Sequence, residues 1–241
     1  MQSTPGLPSS RRSRRSGNPF RPSWRARRIV QYPPEHIWQS LPSQLARENK
    51  KFLYGLVRKG ARAREYEDAI EWLRSAGLVH RVGRIEKPGI PLNSYVDKKA
   101  FKLYSLDVGC VRRMARLDPS AYLQGSRLFE EFEGALAENY VLQELVAEAG
   151  EEPLYWMWDK PKHEVDFIVQ HAGRIVPCEV KAGGNVTAKS LAYYRKKYAD
   201  RTPIAVRYSL RNLALDGGVL NIPLYLASRT SCLLDATLKS F

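Results

Sequence analysis

The chain has 241 residues, of which 44% are hydrophobic and 10% aromatic, enough to build one large core or two small ones and too many for wholesale disorder. It carries 39 basic and 25 acidic residues, a net charge of +14, and no apolar run near the ~18–20 residues that a membrane helix needs. Cys110, Cys178 and Cys232 lie far apart with no C-x-x-C pair, which excludes a disulfide framework or a cysteine zinc site and points to the cytoplasm.

The charge is unevenly placed. Arg11, Arg12, Arg14, Arg15, Arg21, Arg25, Arg27 and Arg28 all precede the first acid, Glu35, leaving the rest of the chain at +6. Residues 1–32 are rich in Arg, Ser and Pro and poor in aliphatics, so they read as a disordered tail that burial cannot order. An Arg-rich arm suits phosphate binding, and an extension without function is the plain alternative.

Residues 35–115 read as helices followed by a hairpin. Leu41, Leu45, Phe52, Leu56 and Val57 predict one long helix over 37–60 with a single buried stripe. A second helix follows from Arg64, with Tyr66, Ala69, Ile70 and Leu73 at helical spacing and Gly77 as its stop. Strands are expected at 78–85 and 100–106, around a turn at 88–91. This is the pattern of a winged helix. Its second helix, however, sets Arg62, Arg64 and Arg74 against Glu65, Glu67, Asp68 and Glu71, a poor surface between two rows of phosphates. Packing against another part of the protein is the expectation for it, with Trp72 in a core or interface.

Residues 127–241 carry the chemistry. A long helix over 127–149 is apolar nearly all round yet contains Glu138, a carboxylate that needs a partner or a metal in such a setting. Strands at 153–158, 164–170 and 174–182 follow. In the last, Glu179 and Lys181 are two residues apart and so share a face, while Asp166 lies on the strand before, across a short His171–Ala172–Gly173 connection. Two carboxylates on adjacent strands beside a lysine suit metal-dependent phosphodiester cleavage. Asp166 and Glu179, with Glu138 completing the shell, would hold Mg²⁺ or Mn²⁺, and Lys181 would meet the scissile phosphate. A purely structural salt-bridged cluster satisfies the same charges.

Several segments, among them GARAREYEDAIEWLRSAGLV, PLNSYVDKKAFKLYSLDVG, FEGALAENYVLQEL, YWMWDKPKHEVDFIV and IVPCEVKAG, resemble the C-terminal domain of unknown function attached to many bacterial and archaeal AAA-type ATPases. The resemblance runs from about Ile37 to Ala227. It implies an α/β (α+β) architecture: an N-terminal winged-helix segment, then a PD-(D/E)XK restriction-endonuclease-like mixed sheet flanked by helices. It places the nuclease-like motif on Glu138, Asp166, Glu179 and Lys181. It implies a DNA-processing or DNA-associated role, or a catalytically silent module acting with an AAA-type ATPase in trans, since the ATPase itself is expected to be missing here, as in a gene remnant. The sequence from Gly183 to Ser190 imitates a phosphate-binding loop, but Ala188 replaces its second glycine and no Walker B carboxylate follows, so no ATP site is expected.

Beyond Gly183, Lys189 and the basic run Arg195, Lys196 and Lys197 open and close a predicted helix and are the candidate nucleic-acid contacts. Tyr193, Tyr194 and Tyr198 on it read as core and rim rather than stacking platforms. Strands at 203–209 and 220–226 flank a turn at Asp216–Gly217–Gly218.

Overall fold

The computed structural model describes residues 33–48, 50–118, 120, 130–183 and 187–239. The arginine-rich tail and the start of the predicted long helix lie outside these residues. Among the described residues, seven α-helices surround one eight-stranded mixed sheet of order β2-β1-β3-β4-β5-β6-β8-β7. No described helix is long and apolar enough to cross a membrane.

The first part comprises α1 (Pro34–Leu45), α2 (Tyr54–Val57), α3 (Ala63–Ser75), β1 (Val79–Ile85), β2 (Val96–Ser105) and α4 (Val108–Met114). The long helix expected over 37–60 is broken. Competition from the sheet explains the break: Phe52 N donates to Phe101 O at 2.8 Å, and Lys51 bridges to Lys102 on β2. The Gln44 side chain fastens the excursion by bonding both Leu53 N and Leu53 O. Leu41, Leu45 and Phe52 are buried as the stripe requires, whereas Leu56 is exposed and Val57 half-buried.

Helix α3 follows its pattern closely. Tyr66, Ala69, Ile70 and Leu73 are buried, the Glu65 carboxylate accepts from Arg62 N, and Gly77 at φ +69° closes the helix with Leu78 N donating to Leu73 O. Its charges are used within the protein. Arg74 pairs with Glu71 and with Glu152, and Glu67 and Glu71 pair with Arg81 of β1. Trp72 is 51% exposed, so it is no part of the core; the helical spacing that buries Leu73 turns its neighbour outward.

The second part comprises α5 (Glu130–Ala149), β3 (Leu154–Asp159), β4 (Lys162–His171), β5 (Arg174–Val180), α6 (Lys189–Lys197), β6 (Ala205–Ser209), β7 (Ala214–Asp216), β8 (Val219–Pro223) and α7 (Thr230–Leu238). Strands β3, β4 and β5 form an antiparallel meander, β6 and β8 continue it in parallel, and the β7–β8 hairpin turns on Gly217 and Gly218, both with positive φ. Helices cover both faces. Val141, Leu142 and Leu145 of α5 pack with Tyr155, Phe167, Val176 and Cys178, while Leu191 and Tyr194 of α6 pack with Trp156, Val165 and Ile168. Tyr194 is fully buried and Tyr193 and Tyr198 half-buried, as core and rim residues are.

The two parts share the sheet. Strand β1 pairs with β2 on one side and, in parallel, with β3 on the other, through Arg84–Tyr155 and Ile85–Trp156. Asn139 of α5 holds the end of β2 by accepting from Ser105 N and donating to Ser105 O.

A candidate carboxylate–lysine site

The site begins with an irregularity in β4. The β3–β4 register passes from Leu154–Ile168 to Trp156–Val165, so Asp166 and Phe167 both stand opposite Tyr155. Such a bulge re-aims a side chain. On its other side, Asp166 lies one step beyond the Phe167–Cys178 pair and faces Glu179 across the ladder. The ladder ends there because the Asp166 carboxylate itself accepts from Val180 N at 2.8 Å. Asp166 and Glu179 are both buried, and Lys181 reaches back to Glu179 Oε1 at 2.8 Å. The second oxygen, Oε2, is buried and without a hydrogen-bond partner.

Glu138 comes from α5 as expected, buried among the elements packed on that face. Its oxygens are engaged by groups from the first part of the chain: Lys50 donates to Oε1 and the Tyr104 hydroxyl to Oε2 at 3.0 Å. A second lysine, Lys102 on β2, is 0% exposed, pairs with Glu164 Oε1 at 2.5 Å and lies 4.9 Å from the Tyr155 ring. Four carboxylates (Glu138, Glu164, Asp166, Glu179) thus meet three ammonium groups (Lys50, Lys102, Lys181).

The electrostatics separate the carboxylates by role. Burial pushes the Asp166 pKa well above its ordinary range, and the nearby charges of Glu138 and Glu179 push it further. Burial also raises Glu179, against the pull of Lys181. Glu138 goes the other way: burial raises it, but Lys50 and Lys102 outweigh that and hold it ionised. Lys102 remains charged despite complete burial because Glu164, Tyr104, Glu138 and Asp166 surround it.

Among the described residues no three His, Cys, Asp or Glu side chains are grouped to hold a metal ion. Asp166 and Glu179, buried on adjacent strands, are the residues that could hold a hard divalent cation, with water in the remaining positions. The buried, unpartnered Oε2 of Glu179 is the oxygen such an ion would satisfy. Glu138 lies near that pair, with its two oxygens engaged by Lys50 and Tyr104.

The structure brings together Glu138, Asp166, Glu179 and Lys181. The sequence reading missed Lys50, Lys102, Tyr104 and Glu164. The one available signal was the alternation Lys102–Tyr104 on β2, a lysine and a tyrosine within an apolar strand. Of the candidate nucleic-acid residues, Lys189 is exposed at the start of α6, and Lys196 is exposed at its end. Arg195 is held by Gly217 O at 2.8 Å, and the Lys197 ammonium lies 3.8 Å from the Trp158 ring centre. In the segment resembling a phosphate loop, residues 184–186 lie outside the described residues, and the Ser190 hydroxyl accepts from Glu164 N at 3.3 Å.

Residues 133–226 match the family described as Domain of unknown function (DUF4143), a domain commonly associated with AAA-type ATPases, and residues 33–121 match Domain of unknown function (DUF8612). Neither a curated protein nor a solved structure matches the chain. Glu138, Glu164, Asp166, Glu179 and Lys181 fall in the first match, and Lys50, Lys102 and Tyr104 in the second. The site is built jointly by both.

Proposed function

We propose that the protein is a nuclease-like, DNA-processing domain of the PD-(D/E)XK type that cleaves phosphodiesters with Mg²⁺ or Mn²⁺. The observation that carries this reading is the buried Asp166–Glu179 pair on adjacent strands, with Lys181 beside it and Glu179 Oε2 left without a partner. The mixed sheet with helices on both faces supports it as well. A divalent cation held there supplies the Lewis acidity that lowers the pKa of a bound water and offsets phosphate charge. Val180 N fixes the Asp166 carboxylate by a hydrogen bond, so that its free oxygen is presented in one orientation. Lys181, 28% exposed at the side chain, carries its proton at the rim and turns its ammonium from Glu179 toward an incoming phosphate oxygen. Exposed Lys189 and Lys196 on α6 are the DNA-backbone contacts in this reading.

A second reading has its own observation. Each of Glu138, Glu164 and Glu179 already has a lysine, from Lys50, Lys102 and Lys181, and a cluster so neutralised suits a catalytically silent regulatory module working with an AAA-type ATPase in trans. The winged-helix description of α1–α3 with the β1–β2 hairpin belongs to either reading as a docking element.

Incubation of supercoiled, linear and single-stranded DNA with the purified chain in Mg²⁺ or Mn²⁺, beside Asp166→Asn and Lys181→Ala, separates the two. The nuclease reading expects cleavage by the parent that both substitutions abolish while the fold persists. Absence of cleavage by the parent supports the silent module.

A further inference from the structure

The connector between α1 and α2 leaves helical geometry to run beside β2, through the Phe52–Phe101 hydrogen bond and the Lys51–Lys102 bridge. Its consequence is the position of Lys50, whose ammonium is delivered to Glu138 Oε1 at the edge of the carboxylate cluster. The two lysines contributed by this part of the chain differ in one respect. Lys102 is fully enclosed, lodged between Glu164 and the Tyr155 ring, and cannot leave without opening the core. The Lys50 side chain keeps 12% of its surface in contact with solvent and stands on a connector whose neighbours Arg47 and Glu48 are exposed. It can leave by rotating outward.

We propose that Lys50 is a tethered counter-ion of the site that competes with the divalent cation for the field of Glu138, Asp166 and Glu179. The proposal rests on the reading of Asp166 and Glu179 as cation-holding residues and adds what sets their affinity. In the deprotonated state that metal binding selects, the four carboxylates with Lys50 in place face three ammonium groups and retain a single net negative charge. With Lys50 withdrawn they retain two, which matches a divalent ion. Inside a low-dielectric cluster that one charge is a large share of the attraction available to the ion. The part of the chain matching DUF8612 therefore governs the metal affinity of the part matching DUF4143, through one side chain. A partner or substrate phosphate that draws Lys50 away from Glu138 raises that affinity.

The test is Mn²⁺ binding by calorimetry, with the Mn²⁺-dependent rise in melting temperature as a second readout independent of activity. Lys50→Gln removes the charge and keeps a donor for Glu138, and Lys50→Met removes both, so that one failing to fold leaves the other. Lys50→Arg keeps the charge, and Lys59→Met removes a lysine from an exposed position elsewhere. Tightening of Mn²⁺ by about tenfold or more in the two neutral variants, absent from Lys50→Arg and Lys59→Met, is the expected result. Wild-type affinity in Lys50→Gln overturns the competition while leaving the metal reading intact. Absence of Mn²⁺ uptake by the parent and by every Lys50 variant overturns both.

Discussion

Asp166 is the residue at which charge and fold are most opposed. Burial and the facing Glu138 and Glu179 carboxylates raise its pKa far above the ordinary 3.8, with Lys102 and Lys50 opposing them and Lys181 and Glu164 completing the surroundings. A carboxyl whose pKa is raised on folding is held protonated longer by the native state. Stability is therefore undiminished below the ordinary value and declines as pH rises through the elevated one. Asp166→Asn, which keeps an oxygen for Val180 N, is expected to raise the melting temperature at pH 7–8 by roughly 2–4 °C, the equivalent of about 1 kcal/mol at this chain length. The gain should vanish near pH 4, and thermal melts across pH check it. Lys102 is the complementary case. Replacing it with Met leaves Glu138, Glu164 and Asp166 under-compensated and is expected to cost about 3–5 kcal/mol. Asp166→Asn in the same chain should return part of that loss, a coupling that a double-mutant cycle in urea would measure. Loss of stability in Lys102→Met that Asp166→Asn does not relieve would place Lys102 outside the cluster's charge balance.

Elements held by local rules behave as their sequences require. Helix α3 has its buried stripe, its first-turn acid and its glycine stop, and Gly77 takes φ +69°, where a side chain is strained although nothing lies within 4 Å of the position its Cβ would occupy. Gly77→Ala should therefore cost about 1 kcal/mol from backbone conformation alone, without any clash, seen as a lower denaturant midpoint with an unchanged slope. The failed expectation over 37–60 is equally physical. Helical periodicity in Leu41, Leu45, Phe52 and Leu56 reports which residues prefer burial, and it carries no account of a β-strand from fifty residues downstream offering the backbone of Lys51 and Phe52 better partners. The bulge at Asp166 is of the same kind, since alternation along β4 gives no sign that one strand has an extra residue relative to its neighbour.

At the scale of the molecule, the two matched segments meet along a shared sheet and a shared charge cluster. Glu152, just before β3, accepts from Arg81 N at 2.9 Å and pairs with Arg74, while Asn139 and Glu138 on α5 bind β2 and the α1–α2 connector. These polar contacts are buried or half-buried, so separating the segments would strand ionised groups as well as the open flank of β3. The described chain should unfold as one cooperative unit, and calorimetry should record a single transition with equal calorimetric and van't Hoff enthalpies. A fragment of residues 127–241 alone should lack a cooperative transition. Two resolved transitions in the whole chain would show the segments to be independent.

Much of the site was legible in the sequence by itself. A carboxylate inside an apolar helix and an acid, then Glu-x-Lys, on consecutive strands select Glu138, Asp166, Glu179 and Lys181 because burial makes an unpaired charge costly wherever it stands. Hydrophobic alternation and turn residues recover the strands other than the short β7, the glycine turns and the buried stripe of α3, all of which depend on neighbours a few residues away. Which cations answer those carboxylates was decided only by tertiary structure. Lys50 and Lys102 lie 88 and 36 positions before Glu138, on a connector and a strand whose own patterns do not name Glu138 or Glu164 as partners, and they reach the site because β1 pairs with both β2 and β3. Coulombic partners are chosen by distance in space, and hydrophobic periodicity encodes only distance along the chain.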